Sequence, residues 1–162
     1  TLYVTNCNTS KVTDMSNMFG GCEKLASLDL SGWNTSKVTD MNHMFSYCLR
    51  LTTLDISNFD TRNVTNIKWM FSDCNKLTTL DLSHLNISNV YNMEGMFAYC
   101  NGLTSLDLSG WDMTKVNYKN DMFFNCNALK TIYMRGCNQT TIDKIKSALS
   151  WDSIKNVTIV TE

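Results

Sequence analysis

Along Leu51-Thr-Thr-Leu54-Asp-Ile56-Ser-Asn-Phe59, apolar residues occupy every second position around Leu54 and Ile56, which predicts a short strand with one buried face. Upstream the period changes. Met41, Met44, Phe45 and Cys48 fall at i, i+3, i+4 and i+7, the spacing of one helical face. Thr39 stands where an N-cap would, and Asp40 lies in the first turn, where the helix dipole favours an anion. The pattern predicts about two and a half turns of helix, tightened in places to 3₁₀, joining one parallel strand to the next.

Both patterns recur without slippage. Phe19, Phe45, Phe71, Phe97 and Phe123 are each 26 positions apart, and Cys22, Cys48, Cys74, Cys100 and Cys126 keep the same interval, as do Leu25, Leu51, Leu77, Leu103 and Leu129. Five copies with no insertion place each unit in an equivalent position of an array. The predicted fold class is an α/β solenoid, a right-handed coil with a parallel β-sheet on one face and short helices on the other, over residues 1–137. A lone unit buries too little apolar surface to offset the entropy of ordering its backbone, so the units must stack. After Cys137 the period breaks: Ile142, Ile145 and Leu149 share one helical face, and residues 156–161 read as a strand. Residues 138–162 are therefore expected to form a C-terminal cap. Nothing comparable covers the first strand position, so further chain upstream and association through that open edge are expected.

Composition narrows the function. The chain of 162 residues has 43% hydrophobic and 18% charged residues, a net charge of −1 and no 18-residue apolar run. This excludes a disordered chain and a membrane-inserted helix, and scattered Lys and Arg give no field to gather nucleic acid. With no proline and seven glycines, the turns must use Asn, Asp, Ser and Thr. The Asn-x-Ser/Thr sites at Asn8, Asn34, Asn63, Asn86, Asn138 and Asn156 are read as turn-builders. The five periodic cysteines are read as reduced core thiols. Cys7 and Cys137 lie five units apart, about 24 Å, too far to bridge. No zinc-ligand spacing, catalytic constellation, phosphate loop or cofactor motif is present, so a non-enzymatic chain is expected.

At Leu28-Asp29-Leu30-Ser31-Gly32-Trp33-Asn34-Thr35-Ser36-Lys37-Val38-Thr39-Asp40-Met41, followed by Met44-Phe45 and Cys48, the unit resembles the repeat of the BspA-like leucine-rich repeat surface proteins. The match runs from Thr1 to about Cys137. The resemblance implies a leucine-rich-repeat architecture, a cell-surface or secreted setting in bacteria, and adhesion to host proteins or other cells, with no common catalytic site. The expected partner is a host or matrix protein or a glycan. The alternative is a structural spacer or self-assembling stalk of a larger surface protein.

Two surfaces compete for the ligand. Asp29, Asp55, Asp81 and Asp107, continued by Tyr3 and Tyr133, form an outward column on the strand face. Carboxylates about 5 Å apart repel by roughly 1–3 kcal/mol. The column is read either as solvated carboxylates bonded to neighbouring hydroxyls and amides, or as a strip for a cationic segment or calcium. On the other face, Tyr47, Trp69, Tyr99 and Phe124, with His43, fall where the repeats stop agreeing. They are read either as isolated surface aromatics or as interface anchors.

Overall fold

The computed structural model describes residues 2–5 and 7–162. Successive units lie side by side in parallel register, so residues sharing a repeat position become neighbours: Leu80 pairs with Leu106 and Leu106 with Ile132. The strands β1 (Leu2–Tyr3) and β2 (Leu28–Asp29) form one parallel sheet, and β3 (Thr79–Asp81), β4 (Ser105–Asp107), β5 (Thr131–Tyr133) and β6 (Thr158–Val160) form a second. One helix occurs among the described residues, α1 (Gln139–Trp151). The architecture is an α/β repeat-like fold with parallel sheets.

The apolar spine is a column of rings. Phe19, Phe45, Phe71, Phe97 and Phe123 stack in order with centroids 5.7, 5.7, 5.9 and 5.7 Å apart and interplanar angles of 6°, 4°, 6° and 11°. Beside it, the thiols of Cys48, Cys74, Cys100 and Cys126 donate to the carbonyls of Phe19, Phe45, Phe71 and Phe97 at 3.3, 3.3, 3.0 and 2.8 Å. All seven cysteines are free. Burial pushes the Cys48 and Cys100 thiols up to about 12, so they stay neutral donors rather than nucleophiles.

The helices expected between the strands are not formed. Residues 42–47 and their equivalents are turns. Met44 N–H bonds Met41 O and Cys48 N–H bonds Phe45 O, whereas Met41, His43, Phe45 and Tyr47 donate to Asn66, Lys68, Met70 and Ser72 of the next unit at 2.9–3.0 Å. His43 and Tyr47 take φ of 54° and 59°, the left-handed value a type II turn needs at its third residue. Two linked turns thus bury the same i, i+3, i+4, i+7 positions as a helix. The physical reason for the difference is that a helix satisfies its own amides, while this turn ribbon sends alternate N–H groups across to its neighbour.

The corners are built from Asx turns, in which a side-chain oxygen accepts from the N–H two residues on. Asn8, Asn34, Asp60, Asn86 and Asp112 bond Ser10, Ser36, Arg62, Ser88 and Thr114. Asp14, Asp40, Asn66 and Asn92 do the same with Ser16, Asn42, Lys68 and Glu94. Asp40 therefore closes a turn instead of starting a helix.

The strand expected around Leu54 and Ile56 is also absent: residues 51–56 form no strand, and the sheet opens there. An unbroken sheet would set Asp29, Asp55, Asp81 and Asp107 on four adjacent rungs. Like charges on neighbouring strands destabilise pairing, yet Asp81 and Asp107 pair in register and Asp29 still feels the Asp55 charge across the gap, so the carboxylates do not account for the opening. Side chains keep the units tied. The carbonyl leaving each strand accepts from the next unit: Val4 from Trp33 Nε1 (3.0 Å), Leu30 from Asn58 Nδ2 (3.0 Å), Ile56 from the His84 ring (2.8 Å), Leu82 from Trp111 Nε1 (2.9 Å) and Leu108 from Cys137 Sγ (3.3 Å).

At the C-terminal end, α1 starts at Asn138, whose side chain accepts from Thr141 N. Its other end supplies Asp152, and Asp152 Oδ2 takes the Phe123 N–H at 2.7 Å. In earlier units that N–H meets a methionine carbonyl of the following unit, so the carboxylate imitates the missing backbone. Burial raises the Asp152 carboxyl above its ordinary value. The folded state therefore holds this proton longer than the unfolded chain does, and stability is lost as pH rises through the window between the two values. Asp152→Asn keeps the acceptor and removes the titration. Its urea midpoint relative to the native chain is expected to improve from pH 4 to pH 7, and an unchanged difference would reject the assignment.

Candidate functional site

The strand face carries the acidic column. Tyr3 stands beside Asp29, Asp81 beside Asp107, and Asp107 beside Tyr133. Each carboxylate is already engaged: Asp29, Asp55, Asp81 and Asp107 accept from the amides of Ser31, Ser57, Ser83 and Ser109 at 2.9–3.0 Å, and the Ser83 hydroxyl adds a bond of 2.7 Å to Asp81. These donors hold Asp29, Asp55 and Asp81 below the usual carboxylate range, the backbone bond first for Asp29 and Asp55 and the hydroxyl first for Asp81. Cavities of about 260 and 320 Å³ flank the open segment, lined by Asp29, Asp55 and Asn58 on one side and by Asp55, Asp81 and His84 on the other. At the far end, the Arg135 guanidinium sits 4.8 Å from the Tyr133 ring centroid, a cation–π contact. Among the described residues, no three His, Cys, Asp or Glu side chains are grouped to hold a metal ion.

The turn ribbon carries the second surface. His43 and Trp69 stack with centroids 6.4 Å apart at 16°. The Trp69 indole lies flat over the next unit, where a Cβ on Gly95 would come within 2.4 Å of it. Tyr99 meets Phe124 edge-on at 5.4 Å, and Tyr47 is exposed. His43 is held below its ordinary value by burial and then by Lys68, which pairs with Glu94 at 3.0 Å. Of the sequence-predicted residues, the structure thus brings Trp69 together with His43 and Tyr99 with Phe124.

Two features escaped sequence reasoning. Tyr91 and Tyr118, both exposed, form an edge-on pair at 6.4 Å. Asp73 takes the same repeat position as Tyr47 and Tyr99 and lies between them in the array. Burial raises its carboxyl above the ordinary value, with no other cause. The signal was available in the numbering, since Asp73 falls 26 residues after Tyr47 and 26 before Tyr99.

No helix among the described residues is long and apolar enough to cross a membrane. No curated protein matches the chain. A family model described as Mycoplasma protein of unknown function, DUF285, matches residues 2–101 and again residues 52–155. These two overlapping matches take in almost the whole repeat array and the cap, and the chain belongs to that family.

Proposed function

We propose that this chain is a non-catalytic binding module, a leucine-rich-repeat-like solenoid of the BspA-like kind that works at a cell surface or in secreted form by adhering to a host protein, a matrix protein or a glycan. The observation that carries this reading is the contrast between columns. Inward positions barely change, as the five Phe rings show, whereas the position of His43 on the turn ribbon, half-buried in His43, Trp69 and Asp121, is Asn17, Trp69, Gly95 and Asp121 in the other units, Gly95 lying beneath the Trp69 ring. A scaffold held constant under a varied surface is what specific recognition on a repeat array requires.

The test is a binding screen of the purified domain against extracellular matrix proteins and glycans, with and without calcium. Saturable binding to one class supports the reading. No binding together with concentration-dependent self-association would replace it with the spacer or stalk. The screen also ranks the two faces. Asp55→Asn with Asp81→Asn preserves the oxygen that each Asx turn needs and removes the charge, so the fold is expected to persist. If the strand face binds a cationic ligand, affinity falls by about tenfold; unchanged affinity removes that face from the site.

A further inference from the structure

Two positions per unit in the turn ribbon adopt positive φ, and most of their occupants suit it. Asn17, Asp73, Asp121, Asn125, Gly21 and Gly95 belong to the residue types that tolerate a left-handed backbone. His43 (φ 54°) is also of a type enriched there, whereas Tyr47, Trp69 and Tyr99 are not, yet they sit there at φ of 59°, 54° and 62°. An aromatic residue in this region is strained relative to Gly or Asn. The edge-on contact with Phe124 at 5.4 Å offsets part of that strain at Tyr99, whereas Tyr47 is exposed and has no ring contact among the described residues, so what it presents to solvent is its reason.

Between them lies Asp73. The backbone bonds Tyr47 N–H to Ser72 O and Asp73 N–H to Ala98 O, both 2.9 Å, put the three residues on consecutive rungs, one unit spacing apart. Six other aspartates, at positions 14, 29, 55, 60, 81 and 112, have their carboxyls lowered by donors at their own turns. Asp73 has none: among the described residues neither an ion pair nor a side-chain hydrogen bond engages it. Asp73 is half-buried, and its carboxylate, one rung from a tyrosine on either side, is open to a cation.

From this we infer that Tyr47, Asp73 and Tyr99 form a docking row for an arginine side chain carried by a partner protein. The guanidinium would bond the Asp73 carboxylate and lie against the tyrosine rings. Both halves of this chemistry occur elsewhere in the molecule, in the two-point contact of Arg62 with Asp60 at 3.0 and 2.7 Å and in Arg135 over Tyr133. Arginine fits better than lysine because its planar fork can bond a carboxylate and stack on rings at once. The inference rests on the binding-module reading and names the partner's chemistry.

The test titrates the isotope-labelled domain with the blocked peptide Gly-Ser-Arg-Ser-Gly and with its citrulline counterpart, following amide shifts. Shifts centred on residues 47, 73 and 99 are expected for the arginine peptide, with at least tenfold weaker binding by citrulline and by the Asp73→Asn variant. Tyr47→Asn and Tyr99→Asn should each weaken binding about threefold, and Tyr47→Asn, which loses no ring contact, should raise the melting temperature by about 2–4 °C. Equal binding of citrulline, shifts confined to the strand face, or a destabilised Tyr47→Asn variant would overturn the inference. A glycan whose binding needs the tyrosines but ignores Asp73→Asn would overturn it too. A blank matrix and glycan screen with intact peptide binding would count against the proposed adhesion alone.

Discussion

Replacing Phe71 with alanine is expected to lower the unfolding free energy by about 3–5 kcal/mol, the largest effect of any single change considered for this chain. Phe71 is fully buried, with Phe45 at 5.7 Å on one side and Phe97 at 5.9 Å on the other. Truncation therefore removes ring contacts to both neighbouring units and leaves a void that the flanking rings, fixed in their own stacks, cannot close. Urea denaturation followed by circular dichroism measures it, with Phe19→Ala as comparison. Phe19 also has two ring neighbours, Phe45 at 5.7 Å and Trp33 at 5.6 Å, but it ends the stack and is slightly exposed, so its loss should be smaller. A cost below about 1 kcal/mol at Phe71 would mean that the ring column is not the spine of the array.

Trp111→Phe is the second. The indole is 1% exposed and its Nε1–H meets the Leu82 carbonyl at 2.9 Å. Phenylalanine fills most of the volume but strands a buried acceptor, at a cost of about 1–3 kcal/mol. The comparison lies within the molecule. Where the same repeat position holds Phe59 or Leu85, which have no donor, the residue before it is Asn58 or His84 and supplies one; where it holds Trp33 or Trp111, the residue before it is Gly32 or Gly110. If Trp111→Phe left the denaturation midpoint unchanged, the donor would contribute nothing and this pairing would have no energetic meaning.

Much of this molecule was legible because a strict period makes neighbours of residues at equal positions. The Phe column, the Cys column beside it, the helix facing Ile145 and Leu149, and the last strand all follow from spacing and burial alone. The connecting helices did not form, although Met41, Met44, Phe45 and Cys48 are buried as a helical face would be. Side-chain spacing reports which residues face inward; it does not report whether the amides bond within the segment or to the next one. The hint was at His43 and Tyr47, whose counterparts Asn17, Gly21, Gly95, Asp121 and Asn125 are the residue types of left-handed turns. The opening of the sheet at Asp55 was harder to foresee, since Leu51-Thr-Thr-Leu54-Asp-Ile56 and Leu77-Thr-Thr-Leu80-Asp-Leu82 are nearly the same sequence. Nothing in either segment explains it, and the neighbouring carboxylates Asp81 and Asp107 pair without opening the sheet. Of the candidate site, the exposed aromatics could be named from the sequence, and the numbering places Asp73 in their column, but its missing donor is visible only in the structure.

The rungs between units have a consequence for how such a chain changes length. Ser46 bonds Ser72 exactly one repeat away, and the thiol bonds all span 29 residues. Excising or duplicating a block of 26 residues presents the Phe rings, the thiols and the backbone amides with chemically equivalent neighbours. A shift by any other number breaks all the columns at once. Extension is therefore quantised: genes of this kind can lengthen or shorten their product in whole steps without inventing a new core, and reach becomes a quantity that selection can adjust separately from what the surface recognises.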